Sequence, residues 1–436
     1  MKFRSTRNPD LHVDFEKAVL DCMPEDGGLY VPSEAADLRR WILYTDDNTS
    51  FSNIAGTLTS ACINDEFSPI ICEAIASKAF TFEPQLEQID ERLFTLKLFN
   101  TPTGSHKDYG ISYLVNCIET IHGLKGGSSV FLDATYGELG ASLARALRGK
   151  KHLKAVLVYP KGMVRGLSEE DYIWNGGNIL PVEFEGTEAD CCAVVRELFK
   201  NRSLIDEFHL TVANTANIGR LMPQLFFYPF AFSRLKGKVY SDIYYAMQCG
   251  NYSNLVAGLY SWRLSLPVNG FICPSTPELT LDPYGLCVVP DDLVPFTRRG
   301  NADPASPSNL ERLEDIFNRN SLMLKNFVYP AHVNEKKTDN ACRELFVNYG
   351  ILADRATSSV YAAIQERREL IDEDEATTVL VMRDEPSFDS EYIRHTTGEL
   401  PETPVSVREA FIPNQLNKPA VSRGEEIISL MKTYLK

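Results

Sequence analysis

From about residue 128 the hydrophobic positions settle into a repeating rhythm of short apolar runs and longer amphipathic stretches. Val130–Ala134 is an apolar run, followed by a glycine-containing turn and helical spacing over Glu138–Arg148. Ala155–Tyr159 repeats the strand signature, with helical spacing over residues 168–174, and Ile179–Phe184 with Ala189–Asn201 repeats the pair. His209–Ala213 leads into a longer apolar helix from about Gly219, and Ile243–Met247 into another from about Ser253. Thr378–Met382 supplies a late strand. Strands of this kind alternating with helices predict βαβ units: an α/β fold of open, mostly parallel sheets with helices on both faces.

The first ninety or so residues lack that rhythm. A short irregular opening and the turn signal Pro-Glu-Asp-Gly-Gly at 24–28 precede helical stretches over Ser52–Ile63 and Pro69–Phe80. The expected division is a mainly helical N-terminal domain at 1–92 and a core at 93–436, with a smaller α/β subdomain at about 128–215. Leu281–Ser308 carries five prolines and little periodicity, which predicts a long surface excursion or lid. Glu425–Leu435 has helical spacing that predicts a C-terminal helix packed back on the body.

Length supports that division, because 436 residues exceed what one small core serves. A formal net charge of −15 opposes nucleic-acid binding, although a few local cations and backbone N–H groups still suffice for a small anion. The ten cysteines show no metal-ligand spacing, and the adjacent Cys191 and Cys192 read as reduced side chains on an amphipathic helix. No signal peptide and no apolar stretch long enough for a bilayer is visible, so a reducing cytoplasm without a membrane partner is expected.

In open parallel sheets, ligands bind beyond the carboxyl ends of the strands, where helices begin. Two glycine loops stand there: Tyr136-Gly-Glu-Leu-Gly140 after the strand at 130–134, and Gly250-Asn-Tyr-Ser-Asn254 after the strand at 243–247. Successive N–H groups at a helix start favour a phosphate, but a tight turn needing a left-handed residue explains the second loop equally well. Upstream, Lys107 lies in Pro102-Thr-Gly-Ser-His-Lys-Asp108. It is either one more solvated charge or a nucleophile held in a partly dry pocket.

Lys107 in its Gly/Ser setting, the loop Gly250–Asn254 and Thr357 in Asp354-Arg-Ala-Thr357 together resemble the pyridoxal-phosphate enzymes of the tryptophan synthase β-like fold, fold type II. More narrowly, the chain resembles the threonine synthase family nearly end to end. Arg4-Ser-Thr-Arg7, Phe15-Glu-Lys-Ala-Val19 and Asp26-Gly-Gly-Leu-Tyr-Val-Pro32 are similar to that family's N-terminal signature. Tyr159-Pro-Lys-Gly162, the block Ala213–Gln224 and Ser308-Asn-Leu-Glu-Arg312 follow in the family's order. The resemblance implies that Lys107 forms the Schiff base with pyridoxal 5'-phosphate and shuttles protons. It implies that Gly250, Asn251, Tyr252, Ser253 and Asn254 cradle the cofactor phosphate, and that the Thr357 hydroxyl meets the pyridine nitrogen. Thr357 also reads as a helix N-cap, since helical spacing begins at Ser358. The implied activity is a carbon–oxygen lyase reaction converting O-phosphohomoserine and water to threonine and phosphate. The substrate residues implied by motif position are Tyr136, Gly137, Glu138, Lys161, Asn214, Asn217 and Arg220, with Arg220 open to a purely structural pairing. A monomer or homodimer is expected.

Three departures stand out. The family usually carries Ser-Gly-Asp-Thr-Gly where this chain has Tyr136-Gly-Glu-Leu-Gly140, so the glycines survive and two hydroxyls do not. Each lost charge-assisted hydrogen bond is worth about 1.5–3 kcal/mol. His106 stands where the family has phenylalanine, as a proton relay or as packing, and Arg355-Ala356 stands where it tends to have Pro-His. The cofactor half of the pattern is therefore better kept than the substrate half. Besides threonine synthesis, that leaves open a phospho-lyase releasing a 2-oxo acid, ammonia and phosphate, a β/γ-replacement on another activated amino acid, or a non-catalytic cofactor-binding homologue.

Overall fold

The computed structural model of the chain describes residues 2–63, 65–289, 298–317, 321–372 and 375–435, with the side chains of residues 321 and 322 left aside. Two open sheets organise it. The smaller runs Ile179–Phe184, Leu153–Pro160, Ser129–Ala134, Leu210–Thr211, and every pairing is parallel. The larger runs Val328–Ala331, Gly270–Pro274, Ile243–Ala246, Thr377–Met382, Leu93–Lys97, Gln85–Asp90. Only its edge pairing, Gln85–Asp90 with Leu93–Lys97, is antiparallel. The strands of the small sheet and the centre of the large one are buried along nearly their whole length, as parallel strands covered on both faces must be.

Several expected elements change on folding. Residues 168–174 form two 3₁₀ turns, Glu169–Asp171 and Ile173–Asn175, instead of a helix, and the αL residue Gly176 ends the second. The segment 209–213 keeps only two strand residues, Leu210–Thr211. The helix around Thr357 begins earlier than its periodicity suggests, at Arg355, so Asp354 and not Thr357 is the N-cap. The excursion over 281–308 is partly a small hairpin pairing Thr280–Leu281 with Cys287–Val288, and partly a tied segment. Asp303 there accepts from Arg196 at 3.0 Å, and the Ala302 N–H donates to Gly27 at 2.8 Å. Residues 290–297, the middle of the expected lid, lie outside the described residues.

The opening eighty residues share a core with the rest. Phe51 meets Phe80, Tyr109, Phe227 and Phe230 with ring centroids 4.9–5.9 Å apart, which locks the helices Phe51–Ile63 and Pro69–Ala79 against Lys107–Lys125 and Phe227–Leu235. The 19-residue helix Lys107–Lys125 is buried on most of its surface and carries Lys107 at its first position. All ten cysteines are free thiols, nine of them buried, and Cys191 and Cys192 sit on the helix Glu188–Leu198. No described helix is long and apolar enough to cross a membrane, and no described cluster of His, Cys, Asp and Glu could hold a metal ion.

Candidate active site

The carboxyl ends of the two sheets face a cleft of about 710 Å³. Lys107, Thr135, Tyr136, Gly137, Glu138 and Arg165 line it on one side, and Phe388, Val407, Arg408 and Phe411 on the other. The loop after the strand Ser129–Ala134 is shaped by Thr135, whose hydroxyl accepts from the N–H groups of Gly137 at 3.1 Å and Gly140 at 3.0 Å. That turn delivers Glu138 to the start of the helix Glu138–Leu147, where its carboxylate is ion-paired with the Lys107 amine. Of the two residues that replace hydroxyl side chains, Tyr136 is half exposed beneath the Arg165 guanidinium, 5.3 Å from ring centroid to Cζ, and Leu139 packs on the core.

Immediately before the lysine, Ser105 Oγ donates to Asp384 at 2.6 Å, and His106 Nδ1 lies 3.1 Å from the same oxygen. Burial pulls the His106 imidazole below its usual value, so at neutral pH it stands as a neutral donor to an ionised Asp384. Burial alone would raise the Asp384 carboxyl, but His106, Arg383 and Lys107 hold it well below the usual range. The His106 N–H also donates to the Arg383 carbonyl at 2.9 Å. The end of the strand Thr377–Met382 thus fixes the backbone that presents Lys107.

The turn at 250–254 has two residues in left-handed conformations, Gly250 at φ +32° and Tyr252 at φ +66°, and opens the 11-residue helix Ser253–Arg263. The Tyr252 phenol anchors it to Thr276 at 2.7 Å and Glu278 at 2.9 Å. Asn251 ties it inward: its carbonyl accepts from the Asn309 N–H at 2.9 Å, and its amide donates to Thr215 at 3.1 Å. Asn309 and Arg312 complete a polar junction. The fully buried Arg312 guanidinium donates to the carbonyls of Tyr30 and Ala216, each at 3.0 Å, and to Asn309 Oδ1 at 2.6 Å. Nearby, Glu311 accepts from Thr6 at 2.9 Å and from Arg7 at 2.7 Å, and Asp315 accepts from Arg4 at 2.8 Å. Blocks some 300 positions apart in sequence therefore converge on one structural clasp beneath the anion turn.

The remaining expected residues are placed unequally. Asn217 caps the short helix at 218, its amide donating to the Val19 carbonyl at 2.8 Å, and Asn214 bridges Asp133 at 3.2 Å and the Pro304 carbonyl at 2.6 Å. Both are consumed by structure. Lys161 is exposed, paired with Glu185 at 2.6 Å, and does not line the cleft. Thr357 is buried, with its N–H donating to the Asp354 carboxylate at 2.7 Å. Arg220 is different: it is 4% exposed, with Nε and Nη1 lacking any hydrogen-bond partner. Burial pulls its guanidinium down to about 10, opposed by the carboxylates of Asp108, Asp133 and Asp384. Arg165, Arg383, Asp384 and Arg408 were not singled out in the sequence. For Arg383 and Asp384 a signal existed, because they directly follow a predicted strand, at its carboxyl end.

These residues fit pyridoxal phosphate: an amine in a cleft at a helix start, a left-handed turn opening another helix, and the buried Asn254 amide nitrogen, which has no partner. The architecture is the tryptophan synthase β-like fold of the fold type II enzymes, as structural comparison bears out. The crystal structure of threonine synthase from Escherichia coli superposes with a TM-score of 0.78 at 25% identity, covering 99% of this chain and 100% of that one. That of pyridoxal-phosphate-bound threonine synthase from Brucella melitensis superposes with a TM-score of 0.81 at 20% identity, covering 100% and 99%. The family model of the threonine synthase N terminus matches residues 2–80. Threonine synthase of Buchnera aphidicola subsp. Acyrthosiphon pisum is 27% identical over 451 aligned positions, covering 100% of this chain and 99% of that one. The Escherichia coli enzyme is 28% identical over 368 positions, covering 84% and 85%. Over its whole length the chain is thus similar to threonine synthases in sequence and in fold.

Proposed function

We propose that the protein is a pyridoxal-phosphate-dependent enzyme that converts O-phosphohomoserine and water to threonine and phosphate. The observation that carries this reading is the Lys107 amine, set at the mouth of a two-sheet cleft and paired with Glu138 from the facing loop. When bound, the cofactor supplies an electron sink for carbanions at the substrate's α carbon. Lys107 holds it covalently and, once released, moves protons at the substrate carbons. Glu138 holds the proton at the Lys107 nitrogen between those transfers. The turn Gly250–Asn254 binds the cofactor phosphate through N–H groups at the start of its helix. Arg165 and Arg408 give the outer cleft the positive charge that a dianionic leaving group needs, in a chain whose overall charge is −15. Phe388 and Phe411, paired edge-on at 5.2 Å, wall that end against water.

One observation favours a second reading. Tyr136 and Leu139 put a phenol and an isobutyl group where small hydroxyls would grip a phosphorylated substrate, which suits a changed amino-acid substrate or a lyase outcome. Product analysis decides between them. Incubation with pyridoxal phosphate and O-phosphohomoserine should yield threonine and phosphate in equal amounts. Release of a 2-oxo acid with ammonia and phosphate would replace the synthase reading by the lyase, and no turnover would refute both for this substrate.

A further inference from the structure

The strand Thr377–Met382 is followed by two consecutive residues that serve opposite sides of the site. Successive side chains of an extended chain point to opposite faces. Asp384 turns to Ser105 and His106, behind the lysine. Arg383 turns the other way, and its Nη1 stands 3.8 Å from the point where a Cβ on Gly250 would sit. Among the described residues its guanidinium makes no hydrogen bond and no close ion pair, although its charge is felt by the carboxyls of Asp354 and Asp384. A half-buried guanidinium whose donors are unused, beside a turn that opens an 11-residue helix, is placed to donate to an anion seated there. The same turn holds a second incomplete group: Asn254 is 2% exposed and its amide nitrogen has no partner.

We propose that Arg383 is the side-chain cation of the cofactor-phosphate site, its guanidinium donating to the phosphate oxygens of pyridoxal phosphate seated on Gly250–Asn254, with the Asn254 amide as a further donor. The inference rests on the cofactor reading above and adds to it a residue outside the turn. It also explains why one dipeptide couples both ends of the cofactor: the Arg383 carbonyl holds the His106 N–H at 2.9 Å, next to Lys107, while the side chain reaches the anion turn. A dianion neutralised by an arginine fork is held more tightly than one resting on N–H groups alone.

The test compares uptake of pyridoxal phosphate with that of pyridoxal, which has the aldehyde but no phosphate, in the full chain and in Arg383→Gln and Arg383→Lys. Uptake is followed by visible absorbance, and the thermal midpoint of each unloaded variant reports folding. Arg383→Gln should weaken pyridoxal phosphate binding about ten-fold or more, the loss of one charge-assisted bond, and leave pyridoxal affinity within about two-fold. Arg383→Lys should fall between and carries the test if the glutamine variant does not fold. Equal losses for both compounds, or unchanged pyridoxal phosphate affinity, would overturn the assignment. If the unaltered protein takes up neither compound, the cofactor reading itself falls.

Discussion

Gly110 offers a test in which the sign of the effect is decisive. It lies one turn after Lys107 in the helix Lys107–Lys125, where its backbone is ordinary helix, so replacing it with alanine would normally stabilise by about 0.5–1 kcal/mol. Here the space is taken. A Cβ on Gly110 would stand 1.9 Å from Arg220 Nη1 and 2.5 Å from the Arg220 carbonyl oxygen. The guanidinium could swing away, but the carbonyl belongs to the backbone of the helix Ile218–Leu221, so the two helices must part. Overpacking of that kind costs about 1–3 kcal/mol. Gly110→Ala should therefore destabilise by about 2 kcal/mol where the propensity scale predicts a gain. Gly123 in the same helix is the internal control, because nothing lies within 4 Å of its Cβ position, and Gly123→Ala should stabilise. Denaturant titrations of both variants and the parent read the difference directly. A Gly110→Ala protein as stable as the parent would refute the close seating of Arg220 against the lysine helix.

Three further predictions follow from named contacts. Arg312→Met strips donors from the buried carbonyls of Tyr30 and Ala216 and from Asn309, and should cost at least about 3 kcal/mol in a denaturant titration while weakening cofactor uptake through the loosened Asn309–Asn251 link. Burial raises the Asp133 carboxyl from 3.8 to about 7, so the folded chain binds more protons than the unfolded chain between those values. The stability this group contributes is full below about pH 4 and lost as pH rises through about 7, on the order of 4 kcal/mol in all, and Asp133→Asn should flatten that part of the stability–pH curve. Tyr136→Ser combined with Leu139→Thr should raise turnover of O-phosphohomoserine about ten-fold or more if the loop alone sets specificity, and unchanged turnover would count against the loop.

The alternation of apolar runs with helical spacing predicted the parallel sheets, because strands buried on both faces leave a plain apolar signature. Elements without that signature escaped. Gln85–Asp90 is an exposed edge strand, and its neighbour Leu93–Lys97 pairs with Thr377–Met382 across nearly 300 positions that no local pattern reveals. The helix starts near Glu138 and Ser253 were legible, since a helix start after a strand is a local feature, whereas Lys107 stood out only through the resemblance of its flanking residues. The roles of Asn214 and Asn217 were not, because an asparagine that satisfies buried carbonyls has the same composition as one that meets a substrate. Arg4, Arg7, Glu311 and Arg312 belong to motif blocks, yet only the fold shows that these blocks close on one another.

The most direct test of the account is covalent. Protein loaded with pyridoxal phosphate, reduced with borohydride and digested, should carry one pyridoxyl group, on the peptide containing Lys107, and Lys107→Ala should carry none there. A colourless protein with no adduct, or an adduct confined to other lysines, would contradict the assignment of Lys107 and the site built around it.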